Sequence, residues 1–320
     1  MEKQQTFTDI EYENRRRKTK RETFLEKMDK IVPWEAWVET VRPYYVEQER
    51  GRNKFPLEQM LRMTALQVWF SLSDESVEDA IYDSYSMKTF MGIYYGEGQQ
   101  APDATTLCRF RKLLNTHQLQ EKLFDQVNDL LEQKGKMMHG GSIVDATIVE
   151  APSSTKNSRR KRDPEMHQVK KNNEWHFGMR AHIGIDAGSG YIHTVIAAAA
   201  NQAEVKVAPG LLRRDDEVMY GDAGYTGIEK YIGDGIKREY RIAWSRGYFL
   251  YRHGGGLAYE YEKQREKRKA AVRSKVEYAF HIVKNIFGWR KTRYRGIAKN
   301  QAHAHLLFAS ANLYMLAASS

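Results

Sequence analysis

Cysteine is nearly absent from this chain. One residue of that type, Cys108, occurs in 320, which excludes an internal disulfide and a cysteine-built zinc site. It falls in the helical run TTLCRFRKLL and reads as a packing residue. Long apolar runs are missing as well, since every apolar stretch is too short or too interrupted to span a bilayer. The opening MEKQQTFTDIEYENRRRKTKR is polar and has no apolar signal-peptide core, so a cytoplasmic location is expected. No GxxxxGK[ST] loop occurs, so no nucleotide cofactor is expected. There is no HExxH motif either. His176 and His182 should share one side of a strand in a structural or DNA-facing role, and His303 and His305, two apart on a helix, cannot chelate from one face. Acid is in deficit, with 41 Asp and Glu against 51 Lys and Arg, a net charge of +10 and a pI near 9.4. A chain this basic, with its charge clustered, is expected to have nucleic acid as its partner.

What is present divides the chain in three. Residues 1–22 form a basic arm, expected to be flexible, with a knot at Arg15, Arg16, Arg17, Lys18, Lys20 and Arg21. Residues 23–138 read as mainly helical. FPLEQMLRMTALQVWFSL starts at Pro56 and carries Leu57, Met60, Leu61, Leu66, Trp69 and Phe70 on its apolar side. SVEDAIYDSYSMKTFMG follows, with Ser76 as its N-cap. In PDATTLCRFRKLL, Leu107, Phe110 and Leu114 share a face, while Arg109, Arg111 and Lys112 lie mostly elsewhere. HQLQEKLFDQVNDLLEQKG ends at Gly135. Short helices with basic outer faces suggest a DNA-binding domain, although for any single helix a bundle with solvated lysines and arginines is a comparable reading. In residues 139–320 the pattern changes. GSIVDATIV is a strand, and WHFGMRAHIGIDAGSGYIHTVIAAAA is two strands about a turn. A helical run from Glu204 to Arg213, the strand EVMYGD, a short helix at TGIEKYI and the strand YRIAWS follow. A long basic helix from Tyr261 to Phe287 and a terminal helix from His303 to Leu316 complete the chain. Three strands, then helices alternating with strands, is the order of a ribonuclease-H-like α/β catalytic domain, with a mixed sheet and flanking helices. Gly254–Gly256 reads as a flexible loop.

Two lone aspartates carry the chemistry. Asp145 interrupts GSIVDATIV and Asp222 ends EVMYGD, both in short, β-branched or aromatic runs that read as buried strands. A buried carboxylate is costly unless it is paired or holds a cation. On the basic helix, Arg273-x3-Glu277-x6-Lys284 places three charges on one face at about 100° per residue. Alone, that stripe is an ordinary salt-bridged surface. With the two aspartates, Glu277 completes a cage for two Mg²⁺ ions, Mn²⁺ being an alternative, which in phosphodiester chemistry stand about 3.5–4 Å apart. Asp145 would bridge the ions, Asp222 hold one and Glu277 the other, while Arg273 and Lys284 position phosphates. A basic loop containing Lys156, Arg159, Arg160, Lys170 and Lys171 beside Asp145 suits DNA. So does GWRKTRYRG, where Arg290, Arg293 and Arg295 alternate with Trp289 and Tyr294, although Trp289 can equally be core. Asp186 reads as a turn residue and Glu150 as a loop residue.

The blocks GSIVDATIVEAPSSTKN, RDPEMHQVKKNNEWHFGMRAHIGIDA, VMYGDAGYTG and RSKVEYAFHIVKNIFGWRKTRYRG resemble the DDE transposases of bacterial insertion sequences, specifically their large fifth family. PDATTLCRFRKLL is similar to that family's N-terminal helical domain, and the resemblance runs from about Phe7 to Leu316. It implies the acidic triad Asp145, Asp222 and Glu277, with Arg273 and Lys284 in the helix signature. Two positions depart from the pattern. Ala270 stands where the extended signature has tyrosine, and Glu204 stands where an Asn-x-x-Asp turn, here begun by Asn201, has its acid. The resemblance further implies binding to the terminal inverted repeats of an insertion sequence, strand cleavage by water, and attack of the freed 3′-hydroxyl on target DNA. A homodimer or higher oligomer on double-stranded DNA, associated with the bacterial nucleoid, follows from the need to bring two ends together. A resolvase-like nuclease that cuts without joining and a domesticated DNA-binding protein are the alternatives; a glycosidase would also use paired carboxylates but suits this charge poorly.

Overall fold

The computed structural model describes residues 15–45, 54–93, 99–158, 160–171, 173–253 and 257–319. The first fourteen residues of the arm, Arg159 and Gly254–Gly256 lie outside the described residues. The chain forms two compact units, Met1–Leu119 with Leu313–Ser320, and Gln120–Asn312.

The first unit is helical. Helix α1 (Lys20–Ile31) starts at a capping box in which the Thr19 hydroxyl accepts the Glu22 N–H and the Glu22 carboxylate accepts the Thr19 N–H, satisfying two N–H groups that have no partner inside the helix. Helix α2 (Trp34–Val41) follows. Helix α3 (Leu57–Trp69) buries Met60, Leu61, Met63, Leu66, Val68 and Trp69, nearly its whole circumference, as a central helix should. One cation serves this unit at several points. Arg62 pairs with Asp29 at 2.7 Å and Glu58 at 2.8 Å, and its guanidinium lies 4.6 Å from the Trp34 ring centroid and 4.9 Å from that of Phe90.

SVEDAIYDSYSMKTFMG contributes to two helices, α4 (Asp74–Asp83) and α5 (Tyr85–Met91). Ser84 is extended between them, and its hydroxyl accepts the Met87 N–H at the start of α5. The N-cap of α4 is Ser73, not Ser76, whose N–H donates to Ser73. Helix α6 (Ala104–Thr116), capped by Asp103, buries Leu107, Phe110 and Leu114. Arg109 and Lys112 are exposed on it, whereas Arg111 pairs with Asp74 at 2.6 Å.

The second unit begins with α7 (Leu119–Gln133) and is built on a six-stranded mixed sheet. Its strands are β1 (Gly141–Glu150), β2 (His167–Lys171), β3 (Glu174–Asp186), β4 (Ile192–Ala199), β5 (Val218–Gly221) and β6 (Glu239–Ile242). They run β2-β3-β1-β5-β6, with β4 also paired to β3. The β1–β3, β2–β3 and β3–β4 pairs are antiparallel, while β1–β5 and β5–β6 are parallel. The crossover after β4 is a single helical turn, α8 (Glu204–Val207), and a 3₁₀ turn. It packs Ala208 and Leu211 with Val144 of β1 and Met219 of β5. Glycine is required at Gly178, where a Cβ would stand 2.1 Å from the Val149 carbonyl oxygen.

Helix α9 (Arg246–His253) precedes the long helix α10 (Leu257–His281), which ends in a π-turn over Ile282–Ile286. Helix α11 (Ile297–Ser319) starts before His303 and closes the chain. Lys275 of α10 donates to the Ala187 and Gly188 carbonyls, and Lys284 in the π-turn donates to Ile148 of β1. These tethers lay the helix across β1. Among the described residues no helix is long and apolar enough to cross a membrane.

Candidate active site

Strand alternation sends Val144 into the core cluster on one face of β1 and Asp145 to the other. In the parallel register Ile143 pairs with Tyr220, so Asp222, just past the end of β5, is level with Asp145. The Asp222 carboxylate caps the 3₁₀ turn Ala223–Tyr225 by accepting the Gly224 N–H at 2.8 Å.

Glu204, the first residue of α8, approaches the same point. A Cβ on Gly224 would stand 2.9 Å from Asp222 Oδ1 and 3.3 Å from Glu204 Oε2, so the absence of a side chain there lets two carboxylates crowd together. Arg180 of β3 pairs with Glu204 at 3.0 Å. Tyr225 is fully buried, and among the described residues its hydroxyl has no hydrogen-bond partner.

The electrostatics follow from this crowding. Burial pushes Asp145 up to about 6; its bond from the Ala146 N–H and the Arg273 charge pull the other way, while Asp222 and Glu204 raise it further. Burial also raises Glu204, against Arg180 and Lys171 and with help from Asp222. Burial, then the charges of Glu204, Asp145 and Asp222, push Tyr225 far above the ordinary phenol range. Carboxylates crowded in a half-dry site are hard oxygen donors, the type that divalent cations such as Mg²⁺ prefer.

The residues expected at the site are placed as follows. Asp222 is level with Asp145, and the charges of Arg273 and Glu204 act on Asp145. Glu277 is one turn beyond Arg273 on α10 and is exposed. Among the described residues no three His, Cys, Asp or Glu side chains are arranged to hold a metal ion. The stripe from Arg273 to Lys284 does not run straight, because the π-turn changes the helical period before Lys284. Its Nζ is half-buried on the Ile148 carbonyl at 3.1 Å and held below the ordinary lysine range by burial, then by Lys171 and Arg290.

Lys156, Arg160, Lys170 and Lys171 are exposed; the last two belong to β2, so the end of the expected loop is a strand. Arg290 is exposed and donates to Asn285 Oδ1 and the Lys284 carbonyl, while Arg293 lies over Tyr294 and Arg295 donates to the Arg162 carbonyl. Trp289 is core, 3% exposed. His182 is buried and lowered to about 4 by desolvation, then by Arg180; His176 contacts Glu150, the last residue of β1. Sequence reasoning missed Tyr225 and Arg180. The glycine two residues past Asp222 was the available signal for close packing there.

Residues 136–313 match the family model described as a transposase DDE domain, and residues 13–113 match one described as a transposase domain (DUF772). The first match covers more than half of the chain, which therefore belongs to the DDE transposases. Within that class it is of the insertion-sequence kind. No solved structure matches the chain.

Proposed function

We propose that this transposase binds the terminal inverted repeats of its insertion sequence, cuts the DNA strand there and joins the freed 3′ end to target DNA. One observation carries the reading: Asp222, just past the end of β5, stands level with Asp145 in the middle of the adjacent parallel strand β1, and its charge makes that buried carboxylate harder to ionise. The strand order supports a ribonuclease-H-like catalytic domain, an antiparallel β4-β3-β1 run followed by parallel β5 and β6. The helical unit, with Arg109 and Lys112 exposed, serves as the DNA-binding domain in this reading.

Asp145 and Asp222 would hold the Mg²⁺ ions, with Glu277 as the third carboxylate from the stripe that already carries Arg273. Bound there, the ions would stabilise charge on the attacking and leaving oxygens of the phosphodiester. The chain's own residues do the rest. Arg273, whose charge reaches Asp145, holds the scissile phosphate against the carboxylates. Arg180 keeps Glu204 turned toward Asp222. The exposed cations Lys156, Arg160, Lys170, Lys171, Arg290 and Arg295 line up the backbone, and Arg293 adds to them; Arg159 would extend the same loop. Two such subunits pair on double-stranded DNA, because two element ends must meet, and the protein works at the nucleoid.

Asp145→Ala, Asp222→Ala and Glu277→Ala are each expected to abolish cleavage of an element-end duplex while binding to it persists in a gel-shift assay. Cleavage that survives in any of the three variants removes that residue from the triad.

A further inference from the structure

We infer that the β2–β3 hairpin is a stacking platform for an unpaired nucleotide, with Trp175 taking the base and Lys170 its phosphate. The inference rests on DNA being the substrate of the Asp145 and Asp222 site. Trp175 is 68% exposed on a strand, although an indole gains more from burial than almost any side chain. Nothing in the hairpin's pairing with β1 needs it, since β1 ends at Glu150, opposite Gly178.

Its position gives it a direction. Asp145 pairs with Ile183, and alternation along β3 carries the same face through Phe177 to Trp175. Phe177, the next aromatic on that face, has the Arg162 guanidinium 5.4 Å from its ring centroid. Lys170 stands directly across from Trp175, and Lys171 closes the hairpin opposite Glu174. The hairpin thus extends the sheet beyond the end of β1, with Trp175 eight residues along β3 from Ile183, the partner of Asp145.

An open indole between cations, on the face that leads to the catalytic aspartate, fits a base with its phosphate. Stacking needs the base's flat side, which a paired duplex hides, so the occupant is a nucleotide freed from pairing. Base–aromatic stacking is also tolerant of sequence.

The test is anisotropy binding without divalent metal, on two duplexes of the same element-end sequence. One is fully paired, and the other has unpaired nucleotides at one end carrying 2-aminopurine. The wild-type protein should favour the unpaired end and quench its fluorescence. Trp175→Ala should lose the quenching and bind that end roughly tenfold more weakly, with the paired duplex unaffected. Trp175→Phe should retain most of the preference. Equal affinities for wild type and Trp175→Ala, or an equal loss on both duplexes, would overturn the platform. A change in the mass of the DNA-free protein on Trp175→Ala would also overturn it, by assigning the ring to contact between copies. Failure of the wild-type protein to bind either duplex overturns the DNA reading itself, and the platform with it.

Discussion

Asp145 and Asp186 lie on neighbouring strands, yet their surroundings treat them in opposite ways. Burial raises both. Asp186 overcomes it by accepting the Ser189 N–H and hydroxyl and the Arg213 guanidinium, and ends below the ordinary carboxylate range. Asp145 has one backbone N–H and two carboxylate neighbours, and ends near 6. The fold satisfies one carboxylate and leaves the other crowded by like charge, the imbalance that the proposed function assigns to a cation-binding acid. The sign for Asp186 is that of a depressed carboxylate: its stabilisation is complete above the unfolded value near 3.9 and is lost as pH falls through the lower folded value. Asp186→Ala should therefore cost about 3 kcal/mol at pH 7 and flatten the acid limb of stability in urea titrations from pH 7 to pH 2. A variant with an unchanged acid limb would show that Asp186 is not the titrating group. Asp145 and Asp222 stand out in the sequence because carboxylates on apolar strands are rare. Tyr225 does not, since a sequence does not tell that a buried hydroxyl lacks a partner among the described residues.

Among the elements, most of the helices and five of the six strands could be read from periodicity. The misses have local causes. HQVKK is too polar to look like a strand and is one because it pairs along the edge of β3. Ser84 breaks a continuous helical pattern because its hydroxyl competes for the backbone N–H of Met87. The π-turn at Ile282–Ile286 is invisible to a search at 3.6 residues per turn, and it decides where Lys284 goes. That lysine holds β1 through Ile148. Lys284→Met keeps the stem and removes the donor, so it should lower stability by about 1–2 kcal/mol, read by chemical denaturation. Unchanged stability would mean that the ammonium is not needed by the fold and is free for phosphate.

For the whole molecule, the helical unit comprises Met1–Leu119 with Leu313–Ser320, and the unit built on the mixed sheet comprises Gln120–Asn312. The position of Glu277 was legible as a residue in a stripe but not as a side chain, because exposure on α10 depends on how Lys275 and Lys284 tether the helix. The net charge of +10 matches a long polyanion, and affinity should fall steeply as salt rises. Assembly belongs to this scale too. Light scattering of the protein with two element ends should give at least two subunits per pair of ends, and a single subunit on paired ends would contradict the account. The central claim is tested most directly by strand joining, with purified protein, element ends, supercoiled target DNA and Mg²⁺, and Glu277→Ala alongside. The account predicts joined products from the wild type and none from the variant. Cutting without joining, or joining that persists in the variant, would contradict it.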